Sequence, residues 1–257
     1  MEKQIKQQKR DRILKVVAPI IATIILLLIW EAIVVIKQIP EYVIAKPSAI
    51  FSYFFNNFSS LWPDCWVTIK TLFIAYIMAS LLALACAAGI CTSEIFTAGL
   101  GNLIIFMICT PMMTLVPLLV LIMGFGPMPR ILVTALQAFP IINMNAMVGF
   151  QGVPKERIEL MQSLKATKFQ TFKMVRFPSS VSEVFTGLRL GFINCITCLF
   201  GAEFAGGNEG LGARIVSESH FMRIAPAFAA IVCVAIIGMT VYTFVDSMEG
   251  KFKTWKD

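Results

Sequence analysis

Four stretches of this chain carry no charged side chain at all: Thr71 to Ser93, Ile95 to Pro129, Ile131 to Val153 and Ile224 to Val245. Each reaches the ~20 residues that cross a hydrocarbon core as a helix. Two further apolar runs are interrupted only by isolated charges, Val16 to Ile36 by Glu31 and Gly187 to Ala205 by Arg189 and Glu203. A chain of 257 residues that is 58% hydrophobic and 14% charged cannot hide that much apolar surface in one water-soluble core. Mean hydropathy is +0.79, and lipid is the solvent that fits it. Alternation of polar and apolar residues, which a membrane barrel requires, is absent, so helices must satisfy the backbone amides. The expectation is an all-α polytopic membrane protein with about six transmembrane helices, forming a single domain over residues 1–257.

Breakers shape the spans. Pro40, Pro47 and Pro63, set among Tyr42, Phe51, Tyr53, Phe54, Phe55, Phe58 and Trp62, make Lys37 to Pro63 a segment that lies along the outer membrane surface. The second helix occupies about Cys65 to Cys91. The third must be kinked, because it holds Pro111 and Pro117 before a turn at Gly124 to Pro129.

Lys and Arg exceed Asp and Glu by 22 to 15, but position decides what the excess means. Lys3, Lys6, Lys9, Arg10, Arg12 and Lys15 form one cluster, the positives from Lys155 to Arg176 a second, and Lys251, Lys253 and Lys256 a third. With six crossings, all three fall on one side, which the positive-inside rule makes the cytoplasm. Both termini are then cytoplasmic, residues 1–15 being a tail. The basic residues answer to membrane lipid and give no reason to invoke nucleic acid. The first apolar run is too long for a signal peptide and lacks a small-residue cleavage site after it.

Seven cysteines, an odd number, lie mostly within predicted helices and act as small apolar residues. Cys195 and Cys198 lack the second ligand pair of a zinc site, and no nucleophile and base stand at workable spacing. No metal site and no enzyme is expected. The glycines from Gly206 to Gly212 lack the Lys-Ser/Thr that closes a phosphate loop.

One polar stretch, residues 154–178, is too charged to cross the membrane and too patterned for a loose loop. Ile158, Met161, Leu164 and Phe169, with Leu160 beside them, recur at helical spacing among lysines and arginines. This predicts a short cytoplasmic amphipathic helix starting at Pro154, then a turn at Thr167 and a second piece ending at Pro178. Periodicity alone allows such a helix merely to float on anionic lipid.

The segment is similar to the signature loop of binding-protein-dependent ABC permeases, roughly Glu-Ala-Ala, three residues, Gly, and a later Pro. Here Glu159, Leu160 and Met161 open it, Ser163 and Leu164 follow, and Pro178 closes it. Lys165 stands in the Gly position, so a left-handed turn there would cost about 1 kcal/mol. Leu160 and Met161 in place of two alanines make a bulkier knob. Trp30-Glu31, Lys46-Pro47-Ser48, Pro111 to Pro117 with Gly124-Phe125-Gly126, Asn143 before Gly149, Gly187-Leu188-Arg189 and Ala202-Glu203-Phe204 extend the resemblance over nearly the whole chain. It looks like the nitrate, sulfonate and taurine branch of type I importers.

The resemblance implies a permease subunit that moves a small solute, such as a nitrate-, sulfonate- or taurine-like anion or a vitamin precursor, by alternating access. It implies as partners an ABC ATPase subunit, an extracytoplasmic solute-binding protein and a second, identical permease subunit. ATP and Mg2+ then belong to the ATPase, and this chain binds no cofactor. The coupling helix lies between the fourth and fifth spans. Ile158, Met161 and Leu164 form its ATPase-facing side, Glu159 and Lys165 a polar rim, and Leu160, Ser163 and Ala166 complete the contact.

For the substrate pathway the candidates are Met112, Met113, Asn143, Asn194 and Glu203. Asn143 either lines that pathway or bonds a neighbouring helix, and Glu203 either meets substrate or pairs with a cation such as Arg214. Two readings of other classes stay open at this point, an ion-coupled secondary transporter and a membrane scaffold.

Overall fold

Amides buried in hydrocarbon have no water to bond, and the computed structural model meets that demand with helices; no strand occurs among the described residues. The structure describes the backbone of residues 2–253, while the side chains of residues 1–16, 94–95, 97–98 and 250–257 lie outside the described residues. The first and third basic clusters predicted from sequence fall there. In order, the chain forms α1 (Glu2–Ile36), α2 (Pro47–Asn56), α3 (Phe58–Thr92), α4 (Glu94–Cys109), a 3-10 turn (Met112–Leu115), α5 (Val116–Met123) and α6 (Pro127–Gln151). It continues with α7 (Lys155–Ser163), α8 (Lys168–Thr171), a π turn (Phe172–Arg176), α9 (Phe177–Ser179), α10 (Val181–Gly206), α11 (Leu211–His220) and α12 (Ile224–Lys253).

Among the described residues, five helices are long and apolar enough to cross a membrane: 17–36, 58–92, 127–151, 181–206 and 224–249. The expected third span is where the structure departs from a straight crossing. Pro111 has no amide to donate, so α4 ends at Cys109 and the chain restarts in the 3-10 turn. Gly99–Cys109 and Met112–Met123 meet at 84°, which makes the crossing a broken or re-entrant pair; counted as one span it brings the total to six. The second span begins earlier than predicted, at Phe58, because Pro63 is accommodated in the first turns of α3. The fifth likewise begins at Val181.

The bundle centres on α6, which packs between α3 and α10. Ala75, Ala79 and Ala83 recur every four residues on α3 and are fully buried against Ala138 and Ile142 of α6, with Phe192, Cys195 and Leu199 of α10 closing the layer. Small side chains in that register let helices approach within backbone contact, where dispersion replaces the hydrophobic drive that lipid cannot supply. Gly187 serves the same purpose on α10: a Cβ there would stand 2.7 Å from the Cβ of Asn145. Cys195 and Cys198 sit in this packing, their thiols over the carbonyls of Thr134 (3.9 Å) and Val133 (3.7 Å).

Polar anchors tie the ends together. Arg189 pairs with Asp246 and, at 2.7 Å, with Glu249 of α12. Glu31 of α1 accepts hydrogen bonds from the amide (3.0 Å) and hydroxyl (2.7 Å) of Ser48, so two of the separate sequence motifs form one cap on α2. Trp30 meets Phe228 at 5.5 Å, and most of the other side chains of residues 17–36 face outward.

Candidate functional site

Residues 154–179 emerge from the end of α6 and return to the start of α10 as two helical pieces joined by a sharp corner. At that corner Lys165 adopts φ +55°, the left-handed conformation inferred for the Gly position. The Lys165 amide donates to Gln162 O (2.9 Å) and the Ala166 amide to Met161 O (3.0 Å). These two reversed bonds are the Schellman closure of a helix, normally built around glycine. Thr167 then starts the next piece with a reciprocal box: the Gln170 amide donates to Thr167 Oγ1 (3.2 Å) and the Thr167 amide to Gln170 Oε1 (2.8 Å).

The second piece is locked to the bundle. Its π turn sets Phe172 and Phe177, five residues apart, on the same side, where both rings meet Phe150 of α6 at 4.9 and 6.5 Å. In a regular α-helix that spacing would put them on different faces. Arg176 Nη1 donates to Phe150 O (2.8 Å) and Lys168 Nζ to Thr92 O (3.3 Å). Displacing α7 therefore moves a body joined to α3 and α6, a geometry that transmits force.

The exposed apolar face of this segment differs from the one read off the periodicity. Ile158 and Met161 are half-buried, and Ile158 turns back toward the bundle. The outward side chains are Leu160, Leu164 and Phe169, at 60%, 68% and 71% exposure. Glu159, Ser163 and Lys165 are also exposed, while Ala166 is half-buried. Ile158, Met161 and Leu164, which the periodicity grouped on one side, are thus divided between the bundle and the outside.

At the opposite end of the bundle Glu203 is fully buried. Its carboxylate accepts from Thr68 Oγ1 (2.9 Å) and from the Gly212 amide (2.7 Å), and the Leu211 amide donates to Thr68 Oγ1 (2.8 Å). Gly210 passes so close, at φ +100°, that a Cβ would overlap the carboxylate. Glu203 thus pins the loop from Gly206 to Gly212 onto α3. The cation suggested for it is engaged elsewhere: Arg214 pairs with Asp64 at 2.9 Å and Glu218 at 3.5 Å. Arg130 also holds the loop, donating from Nη1 to Glu209 O (2.7 Å). Thr68 and Arg130 escaped sequence reading, since a lone threonine in an apolar helix and one arginine at a helix start carry no pattern.

The five pathway candidates do not converge. Asn143 is fully buried and donates to Ala83 O of α3 (2.9 Å), the helix-bonding alternative. Met112 is 5% exposed. Met113 and Asn194 flank an exposed face of α10 that also carries Thr197: Met113 packs on Gly201, and Asn194 donates to Leu190 O of its own helix (2.9 Å).

Residues 79–254 match the family model described as the binding-protein-dependent transport system inner membrane component. The chain is 25% identical over 238 residues to a riboflavin transport system permease protein of Chloroflexus aurantiacus, covering 92% of this chain and 89% of the relative. It is 24% identical over 238 residues to the taurine transport system permease protein of Escherichia coli, covering 90% and 86%. Among solved structures, an inward-facing form of the MetNI methionine ABC transporter superposes with TM-score 0.62 at 16% identity, covering 73% of this chain and 93% of that one.

Proposed function

This chain belongs to the binding-protein-dependent transport system inner membrane components, and from that membership we propose that residues 154–178 are the cytoplasmic lever through which a separate ATPase drives it. The chain is the membrane-spanning permease subunit of an ABC importer for a small solute, a multi-pass inner-membrane protein that works with an ATPase and a binding protein. Family membership leaves no room for the ion-coupled and scaffold readings.

The observation that carries the lever is the rigid corner at Lys165 and Thr167. It presents Leu160, Leu164 and Phe169 outward while Arg176 and the Phe150 cluster tie the same piece to α6. The outward residues enter an apolar groove of the ATPase, with Glu159 and Lys165 at its rim and Ile158 and Met161 supporting from behind. Binding energy concentrates in such apolar knobs. ATP and Mg2+ act on the ATPase, whose closure pushes the segment as a rigid body and switches the bundle between inward-open and outward-open forms.

In this reading the lever and both termini face the cytoplasm, and the loop from Gly206 to Gly212 faces the binding protein. A second, identical copy completes the pathway along the face of α10 that carries Asn194 and Thr197, beside Met113 of the 3-10 turn. The solute belongs with the small anions and heterocycles named in the relatives, taurine, nitrate and riboflavin.

The test is Leu164→Asp in the reconstituted importer. Uptake falls to background while the thermal midpoint of the permease stays close to that of wild type, because Leu164 is mostly exposed in its own chain. Wild-type uptake with the ATPase still bound would defeat the assignment.

A further inference from the structure

Between α7 and the ends of α3 and α6 the chain encloses a cavity of about 400 Å3. Its lining includes the side chains of Gln151, Gln162 and Thr171, the thiol of Cys91, and two cations, Lys168 and Arg176. No carboxylate lies in that described lining, and neither cation is among the ion pairs formed by described residues. Each is oriented by one backbone carbonyl, Arg176 by Phe150 O at 2.8 Å and Lys168 by Thr92 O at 3.3 Å. A guanidinium carries five N–H donors and an ammonium three, so both retain donors after those bonds.

Two like charges held at one polar hollow repel each other and favour an anion that bonds both. The alternative arrangement, each cation paired with a carboxylate, occurs elsewhere in this chain at Arg189 and Arg214 and not here. We propose that this cavity binds a phosphate group, carried either by a soluble phosphate or by the headgroup of an anionic phospholipid. Phosphate offers the forked acceptor geometry that suits Arg176 and the charge that satisfies Lys168 as well. Gln151, Gln162 and Thr171 add neutral polar groups around the remaining oxygens.

The site lies beneath the lever, with Ile158 and Gln162 of α7 on one side and Cys91 at the end of α3 on the other. An occupant bonded to Lys168 and Arg176 therefore fills the space between lever and bundle and stiffens their connection. The cytoplasmic location of the cavity rests on the function proposed above; anion binding itself does not.

Cys91 reports occupancy, because it lines the cavity, and a cysteine introduced at exposed Ser219 (Ser219→Cys), outside the membrane spans, serves as the internal control. Maleimide labelling of both is followed by peptide mass spectrometry on the full chain in zwitterionic nanodiscs. Near nine-tenths occupancy, inorganic phosphate slows Cys91 labelling about tenfold relative to chloride of equal ionic strength and leaves labelling at position 219 unchanged. Nanodiscs containing phosphatidylglycerol produce the same slowing without phosphate if a headgroup is the source. Lys168→Gln, at an exposed side chain, raises the phosphate midpoint about tenfold. Lys168→Arg restores it.

Cys91 labelling unaffected by both phosphate and phosphatidylglycerol overturns the proposal, and so does protection whose midpoint ignores Lys168→Gln. Intact protection in a chain that fails to dock an ATPase counts against the lever and leaves the anion site standing.

Discussion

Lys165 shows what one residue costs at a place the backbone has already chosen. Its φ of +55° is imposed by the Schellman bonds of Gln162 and Met161, and a Cβ in that region costs about 1 kcal/mol that glycine avoids. Lys165→Gly should therefore tighten the corner, slowing hydrogen exchange of the Ala166 amide about fivefold, the equivalent of that energy. Exchange that is unchanged or faster would mean the Lys side chain stabilises the turn by a contact of its own. Thr68 is a second single residue with two duties, donating to Glu203 and accepting from Leu211. Thr68→Val leaves a buried carboxylate short of a donor and an amide short of an acceptor, a loss of about 2 kcal/mol or more. Amides of Leu211 and Gly212 should exchange at least about tenfold faster, and Thr68→Ser should restore them.

Elements are joined by fewer and stronger contacts than their apolar surfaces suggest. Arg189 links α10 to α12 through Asp246, whose side chain is 55% exposed, and Glu249, whose side chain is 6% exposed. Removing the cation from a buried carboxylate costs about 3 kcal/mol or more, whereas an exposed partner contributes under about 1 kcal/mol. Arg189→Met should accordingly lower the thermal midpoint in detergent well beyond Asp246→Asn. Equal shifts for the two variants would show that Glu249 does not carry the link. The π turn from Phe172 to Arg176 is another such device, since one extra residue in the turn brings Phe172, Phe177 and Arg176 onto α6 together.

At the scale of the whole molecule, the chain has the cornered segment 154–178 at one end, a pinned loop at the other and a close-packed α3, α6, α10 core between them. The broken pair at Pro111 packs against α10 through Met113 and Gly201, beside the exposed face that carries Asn194. A close-packed core with distinct ends suits the relay of motion proposed above. Proteoliposomes holding the permease with its ATPase and binding protein should accumulate solute only with ATP. Omitting the ATPase should abolish uptake whatever ion gradient is imposed, and gradient-driven uptake by the permease alone would contradict the assignment.

Six crossings, with the broken pair at Pro111 counted as one, and the amphipathic segment between the fourth and fifth spans were determined by the sequence, as were the span limits apart from the early starts at Phe58 and Val181. Each depends on local quantities: lengths of uncharged runs, proline's missing amide, and apolar spacing. The strain at Lys165 was legible too, because a side chain in a glycine position has a cost independent of context. Tertiary structure alone decided the rest. It turned Ile158 inward and Leu160 outward, since a helix periodic on one side can present either side to its own bundle. It gave Glu203 to Thr68 and Gly212, and Arg214 to Asp64, since a buried charge takes the donors that packing brings to it. It bent the third span by 84° and gathered Lys168 and Arg176 at one hollow, because long-range neighbours depend on how helices cross and not on their spacing along the chain.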